Sequence, residues 1–166
     1  MDELEKLLFE QDKRDAVLAA AVGELSVNFS HLEGHLNWAI ARLLGTTEGR
    51  GKVVAAAIRN VSTRLDIFAG LVQIIDMPAA TKDALLASHK EIQRLNALRN
   101  HLLHNRWTSN ENKIWLDINR GKVSLKSRKF KPEEISREAK ACVSAIASLM
   151  DAIKLFQEYS AKNVTD

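Results

Sequence analysis

Apolar side chains recur every three or four residues through the first third of the chain. This apolar series consists of Leu18, Val22, Leu25, Phe29, Leu32, Leu36, Ala39 and Leu43. Such a spacing places all of these side chains along one face of an α-helix. A long helix with one apolar face owes most of its stability to packing of that face against other elements. The series therefore predicts a long bundle helix over about residues 13–44.

Two further helical regions follow before the middle of the chain. The segment 45–49, Gly-Thr-Thr-Glu-Gly, interrupts the first helix, and a second helical region runs from about Lys52 to Asp76 with a weak point near 60–62. Met77-Pro78 ends this region, and a third helix begins near 79–82 and extends to about Trp107. Its predicted apolar stripe consists of Leu85, Ile92, Leu95, Leu102 and Leu103.

The period of the pattern changes to two after the third helix. Apolar residues alternate with polar or aromatic ones on both sides of Asn119-Arg120-Gly121-Lys122, a segment with turn chemistry. This predicts a small β-hairpin over about 112–128. Pro132 then starts the last helix, with two acids in its first turn. Its predicted stripe consists of Ile135, Ala139, Val143, Ile146, Leu149, Ile153 and Phe156.

Composition supports one all-α domain. The 166 residues are 46% hydrophobic and only 5% aromatic, with two prolines, which is typical of a helical bundle. We predict a bundle of four to five helices over 1–166, with the hairpin between the third and last main helices. The acidic N-terminus lacks the regions of a signal peptide, no apolar run is as long as a membrane span, and Cys142 is the single cysteine, so we expect a cytoplasmic protein that does not associate with membranes.

Positive charge is concentrated in the middle of the chain. Residues 1–48 hold 4 basic and 9 acidic side chains, residues 49–131 hold 16 and 6, and residues 132–166 hold 4 and 6. From residue 113 to 131 there are seven basic residues and one acid, Asp117. Such a cluster attracts phosphate backbones. The alternative is that these residues only solvate a hairpin and a loop.

An arginine lies in the middle of the predicted apolar stripe of the third helix. At about 100° per residue, Arg99 falls roughly in the middle of that stripe. A guanidinium there requires a partner, a subunit interface or a cleft that binds an anion. His104 follows five residues later, on the shoulder of the stripe close to Asn100, and is predicted to diverge from Arg99 by roughly 140°.

The order Arg99, Asn100, His104 resembles the signature of the HEPN superfamily. Members of this superfamily are small helical bundles in which an arginine is followed by a polar residue and, a few positions later, by a histidine. The resemblance implies a metal-independent endoribonuclease in which two protomers bring their motifs together at a dimer interface. It also implies a role in toxin–antitoxin systems or antiviral defence, and leaves open a neutralising antitoxin or a defence-system partner.

The resemblance implies a role for each motif residue. Cleavage would proceed through the ribose 2′-hydroxyl and leave a 2′,3′-cyclic phosphate and a 5′-hydroxyl end, with no cofactor. His104 would move a proton, Arg99 would hold the scissile phosphate, and Asn100 would orient the histidine or the phosphate. RNA would be guided by basic residues after the motif, namely Arg106, Lys122, Lys126 and Arg128.

Other interpretations of the same residues remain open. In one of them, Arg99 pairs with a buried carboxylate such as Glu33, and His104 is a histidine at a helix end whose hydrogen bonds are satisfied. The chain would then be a non-catalytic module that binds RNA or a protein. His31 and His35 share a helix face, but without a third ligand we favour surface histidines over a metal site. For Trp107 and Trp115 we favour packing in the core or at an interface over stacking on an RNA base.

Overall fold

A computed structural model of the chain describes residues 2–104, 106–107, 112–119 and 122–163. Within these ranges it describes the side chains except those at positions 48, 52, 56, 106, 107, 112–119 and 122–125. The described part of the chain is an all-α bundle of five helices with a small sheet between the fourth and fifth. The predicted fold class is thereby confirmed.

Helix α1 spans Glu3–Leu43 and begins ten residues earlier than the predicted start near residue 13. Its start has a local cause. The Asp2 carboxylate accepts the Glu5 backbone N–H at 2.7 Å, and the Glu5 carboxylate accepts the Asp2 backbone N–H at 2.9 Å. This reciprocal pair is a capping box, which satisfies two backbone donors at the helix start.

Gly45 ends α1. Its φ is +62°, in the left-handed region that glycine adopts without steric cost. The Gly45 N–H donates to the Arg42 carbonyl and the Thr46 N–H donates to the Ala41 carbonyl. Both hydrogen bonds belong to a Schellman motif, which turns the chain away from the helix axis.

The second predicted helical region is two helices, α2 (Glu48–Ala57) and α3 (Val61–Ile74). The break falls next to the predicted weak point. Asn60 caps α3, because its side-chain oxygen accepts the Ser62 backbone N–H at 2.8 Å. The single region predicted over 52–76 is therefore wrong in extent, while its weak point is confirmed.

Helices α4 (Ala79–His104) and α5 (Pro132–Asn163) complete the bundle. Two predicted core positions are wrong: Leu103 is 37% exposed and Val143 is 55% exposed. Val143 lies about 80° around the helix from Ile135, at the edge of the face that packs inward. The other predicted stripe residues of these two helices are buried or packed against the core, namely Leu85, Ile92, Leu95, Leu102, Ile135, Ala139, Ile146, Leu149, Ile153 and Phe156.

The connection between α4 and α5 is a three-stranded antiparallel sheet in the order β1-β2-β3. Strands β2 (Asn112–Asn119) and β3 (Lys122–Lys129) form the predicted hairpin, in a register that pairs Asn119 with Lys122. Strand β1 (Arg106–Trp107) pairs with β2 and was predicted as helix. Two residues are too short for an alternating pattern, so the sequence carried no signal for β1.

Contacts between helices show how the elements are arranged. The Asn28 side-chain amide in α1 donates to the Ala139 carbonyl in α5 at 3.1 Å, and Arg94 in α4 pairs with Glu138 in α5 at 2.6 Å. Val17 lines a cavity together with Pro132, the first residue of α5. The part of α1 before Val17 thus extends past the start of α5. None of the described helices is both long and apolar enough to cross a membrane.

Candidate functional site

Arg99, Asn100 and His104 line one open cleft of about 520 Å³. The cleft lies between α1, the start of α3 and the end of α4. Although the helical wheel separates Arg99 and His104, the long arginine side chain brings both residues to this surface. The lining residues are Glu33, Arg59, Asn60, Val61, Asn96, Arg99, Asn100 and His104.

Arg99 is half-buried at the edge of the core. Its guanidinium carbon lies 5.7 Å from the ring centroid of Phe29, which is a buried core residue. The Arg99 Nη1 donates to the Asn100 side-chain oxygen at 3.1 Å. A cation over an aromatic face is stabilised by the ring quadrupole. Phe29 therefore explains how a guanidinium is accommodated on the apolar stripe of α4.

Glu33 is paired with Arg64, so the alternative in which Glu33 pairs with Arg99 is wrong. The Arg64 Nη2 lies 3.0 Å from the Glu33 carboxylate, and the Arg64 Nη1 donates to the Asn37 side-chain oxygen at 2.9 Å. The Arg64 side chain is only 8% exposed, so it requires a carboxylate partner. Among the described residues the structure gives Arg99 no carboxylate partner, and its charge faces the cleft.

Arg64 was absent from the predicted site, although its sequence position carries a signal. It lies on the same face of α3 as Val61, Leu65 and Phe68, all of which are buried. A second arginine on an apolar stripe requires a partner, an interface or a cleft, and for Arg64 the structure supplies an ion-pair partner. The identity of the partner depends on packing between α1 and α3, which the sequence does not reveal.

Three polar residues of the cleft were also missed as site residues. Asn96 is 5% exposed, and its side-chain nitrogen donates to the Ser62 hydroxyl at 3.3 Å. Arg59 and Asn60 are exposed in the break between α2 and α3. This break was predicted only as a helical weak point, so its residues carried no functional signal until the fold placed them beside α4.

His104 is the last residue of α4 and is exposed at the cleft. Asn100, one turn earlier, is half-buried beside it. The other histidine of this helix end, His101, is exposed and does not line the cleft. Arg94 lies on the outer face of α4, where it pairs with Glu91 at 2.8 Å. Of the two exposed histidines at this helix end, His104 lines the cleft and His101 does not.

Of the four predicted RNA-guiding residues, the two whose side chains the structure describes, Lys126 and Arg128, are not among the residues that line the cleft. Lys126 and Arg128 are exposed on β3, and Arg128 pairs with Glu134 and lies 4.6 Å from the ring centroid of Phe130. The side chains of Arg106 and Lys122 lie outside the described residues, as do those of Trp107 and Trp115. Part of the positive charge at Arg128 is therefore neutralised within the chain.

The two histidines of α1 and the single cysteine do not form a metal site in the described part of the chain. The His35 Nδ1 lies 2.9 Å from the His31 carbonyl oxygen, one helical turn away. Over the residues that the structure describes, no group of three or more His, Cys, Asp or Glu side chains is arranged to hold a metal ion. Cys142 is buried in the core, where loss of hydration raises the pKa of its thiol to about 11.

The chemistry available in the cleft follows from these groups. It presents two arginines, three amides and one imidazole, and its carboxylate is occupied by Arg64. Guanidinium and amide donors bind phosphate oxygens, and an imidazole transfers protons near neutral pH. The arrangement is suited to binding an anion beside a proton donor or acceptor.

Comparison of the chain with protein-family models, curated proteins and solved structures gave no match.

Proposed function

We propose that the protein is a metal-independent endoribonuclease of the HEPN type. The observation that carries this proposal is the cleft, in which Arg99 has no carboxylate partner among the described residues and lies beside Asn100 and His104. Glu33 would otherwise repel a phosphate, but Arg64 balances its charge. The cleft is accordingly cationic at the position where the motif residues meet.

The reaction would be an internal transesterification of RNA. The ribose 2′-oxygen attacks phosphorus, the bond from phosphorus to the 5′-oxygen breaks, and the products are a 2′,3′-cyclic phosphate and a 5′-hydroxyl. One group takes the proton from the 2′-hydroxyl and another gives a proton to the leaving 5′-oxygen. Arg99 stabilises the charge that develops on the phosphate oxygens, and Asn100 holds the Arg99 guanidinium through their hydrogen bond.

The need for two proton-transfer groups supports a composite site. His104 is the single histidine among the residues that line the cleft, and Glu33 is held in its ion pair. A second copy of the chain would supply a second His104 on the opposite side of the scissile phosphate. Homodimerisation is therefore part of the proposed function, as is RNA as the substrate.

The experiment that tests the proposal is RNA cleavage in excess chelator by the wild type, His104→Ala and His101→Ala. His101 is the matched control, because it is an exposed histidine on the same helix but outside the cleft. We expect the wild type and His101→Ala to produce cyclic phosphate ends, and His104→Ala to lose at least ~100-fold in rate, the usual contribution of general acid–base catalysis.

Two outcomes contradict the proposal. Cleavage by His104→Ala at the wild-type rate would remove the histidine from the mechanism. RNA binding without cleavage by any of the three proteins, over structured and unstructured RNA, would favour a non-catalytic RNA-binding module. Because His104 is exposed, the variant should keep the wild-type melting temperature, which separates a loss of chemistry from a loss of folding.

A further inference from the structure

The cleft has a second arginine that lies outside the motif of Arg99, Asn100 and His104. Arg59 belongs to the short break between α2 and α3, lines the cleft and has an exposed side chain. Over the part of the chain that the structure describes, Arg59 makes no hydrogen bond, ion pair or ring contact. A guanidinium stays charged at every physiological pH, so this charge is available to an anionic ligand.

The break that carries Arg59 is fixed to α4 through side chains. The Asn60 side-chain oxygen accepts the Ser62 backbone N–H at 2.8 Å, and the Ser62 hydroxyl accepts the Asn96 side-chain amide at 3.3 Å. Asn96 lies on α4, one helical turn before Arg99. Because Asn60 follows Arg59 directly, the backbone of Arg59 has a defined position beside the helix that carries Arg99. A donor that is held in place loses less conformational freedom when it binds a ligand.

The two arginines lie at different depths in the cleft. Arg99 is half-buried, with its guanidinium carbon 5.7 Å from the ring centroid of Phe29, and it donates to the Asn100 side chain. Arg59 is exposed on the wall that the break between α2 and α3 forms. The cleft therefore offers two positions for an anion, an inner one at Arg99 and an outer one at Arg59.

Charge in the cleft favours a ligand with more than one negative group. Glu33, the carboxylate among the lining residues, is held by Arg64 at 3.0 Å, so it does not offset the charges of Arg59 and Arg99. A nucleic-acid strand carries one negative charge per nucleotide, and its phosphates follow one another along the backbone. Successive phosphates of one strand match two cations that lie at different depths.

We propose that Arg59 binds the phosphate that flanks the scissile phosphate on the same RNA strand. This inference rests on the proposed function, because it takes the phosphate beside Arg99 and His104 as the one that is cleaved. It identifies the substrate as a strand with at least one further phosphate, so a dinucleoside monophosphate fills only part of the site. Because the flanking phosphate does not react, Arg59 contacts it equally in the ground state and the transition state, and lowers KM without changing kcat.

The first test measures cleavage by the wild type, Arg59→Ala and Arg50→Ala. Arg50 is the matched control, since it is an exposed arginine on α2 that does not line the cleft. The substrates are RNA oligonucleotides methylated at every 2′-oxygen except the one that attacks, with flanking phosphates either native or replaced by neutral methylphosphonates. We expect Arg59→Ala to raise KM about 3- to 10-fold on the native strand at unchanged kcat, and Arg50→Ala to match the wild type. On the neutral strand all of these proteins should share one KM.

The second test requires no cleavage. Affinity for single-stranded RNA is measured at several salt concentrations for His104→Ala alone and for His104→Ala combined with Arg59→Ala or with Arg50→Ala. Each phosphate contact on a single strand contributes about 0.7 to the slope of log affinity against log salt concentration, so loss of Arg59 should reduce the slope by this amount. Loss of Arg50 should leave the slope unchanged. The substitutions at 59 and 50 should not alter the melting temperature, because both arginines are exposed.

With cleavage intact, the inference fails on either of two results. One is an Arg59→Ala protein whose KM and salt slope equal those of Arg50→Ala. The other is a KM that rises equally on the native and the neutral strand, which would place Arg59 away from the flanking phosphate. Absence of cleavage by the wild type on every RNA would instead reject the proposed function, and the salt slope alone would then decide whether Arg59 contacts phosphate.

Discussion

Arg99 occupies a position on α4 that is unfavourable for a charged side chain. Arg99 lies on the inward face of α4, where a hydrated guanidinium would lose its water. The structure places it at the edge of the core, over the ring of Phe29, with its charge toward an open cleft. Arg94, five residues earlier, is instead held by Glu91 and Glu138, which raise its pKa, while Arg94 lowers the pKa of Glu91.

These surroundings predict different effects of removing each arginine. Arg99→Ala should weaken RNA binding about 10- to 100-fold, since a hydrogen bond to a charged group contributes about 1.5–3 kcal/mol. Arg94→Ala, the control, should leave affinity within about twofold, because its charge is already paired. Titration of labelled RNA at two salt concentrations measures both. Equal losses in the two variants would show that the cleft has no special role in binding.

The buried cysteine gives a prediction about pH. Burial raises the pKa of the Cys142 thiol to about 11, from an ordinary value of 9.0. The folded protein therefore retains this proton at a pH where the unfolded chain releases it, and its free energy of unfolding falls as pH rises from 9 toward 11. Cys142→Ala should show a shallower decline than the wild type in urea unfolding at pH 8 and pH 10.5. Parallel declines in the two proteins would contradict the raised pKa.

At the scale of elements, the sequence predicts what depends on local pattern. The helical period located the bundle helices, and the alternating period located the hairpin to within one residue of β2 and β3. The pairing of Glu33 with Arg64 and the cleft between α3 and α4 depend on how helices meet in space. No local signal in the sequence reports those contacts, so the cleft residues Arg59, Asn60 and Asn96 were missed as site residues.

The contact between α1 and α2 depends on the absence of a side chain at Gly51. A Cβ built there would overlap the Ala41 Cβ and lie 2.8 Å from the Ala41 Cα, a backbone atom that cannot move away locally. Gly51→Ala should therefore displace α2 and destabilise the protein by ~1–3 kcal/mol, the typical cost of overpacking. Thermal or urea unfolding measures this loss.

Gly49→Ala is the matched control for this substitution. It lies in the same helix, and a Cβ at Gly49 would meet nothing within 4 Å. Since alanine favours helix over glycine, this variant should be neutral or more stable by up to ~1 kcal/mol. If Gly51→Ala were as stable as Gly49→Ala, the close approach of α2 to α1 would not be required in solution.

For the whole molecule, the cleft bears on the assembly that the proposed function requires. His104 is the last residue of α4, next to the sheet that connects α4 to α5. Each copy of the cleft holds one imidazole among its lining residues, so the proposed dimer would supply two. Under the proposed function, cleavage needs both a proton acceptor and a proton donor and would therefore need both copies.

A shared centre predicts that an inactive copy suppresses an active one. In a tenfold excess of His104→Ala, nearly all wild-type chains enter mixed dimers, and activity per wild-type chain should fall to about a tenth, because each shared site lacks one histidine. The same mixture assayed before subunits have exchanged is the control: it should not suppress, because mixed dimers have not yet formed. Unchanged activity per wild-type chain in both assays would show that each copy cleaves independently, with the second proton-transfer group inside the same chain.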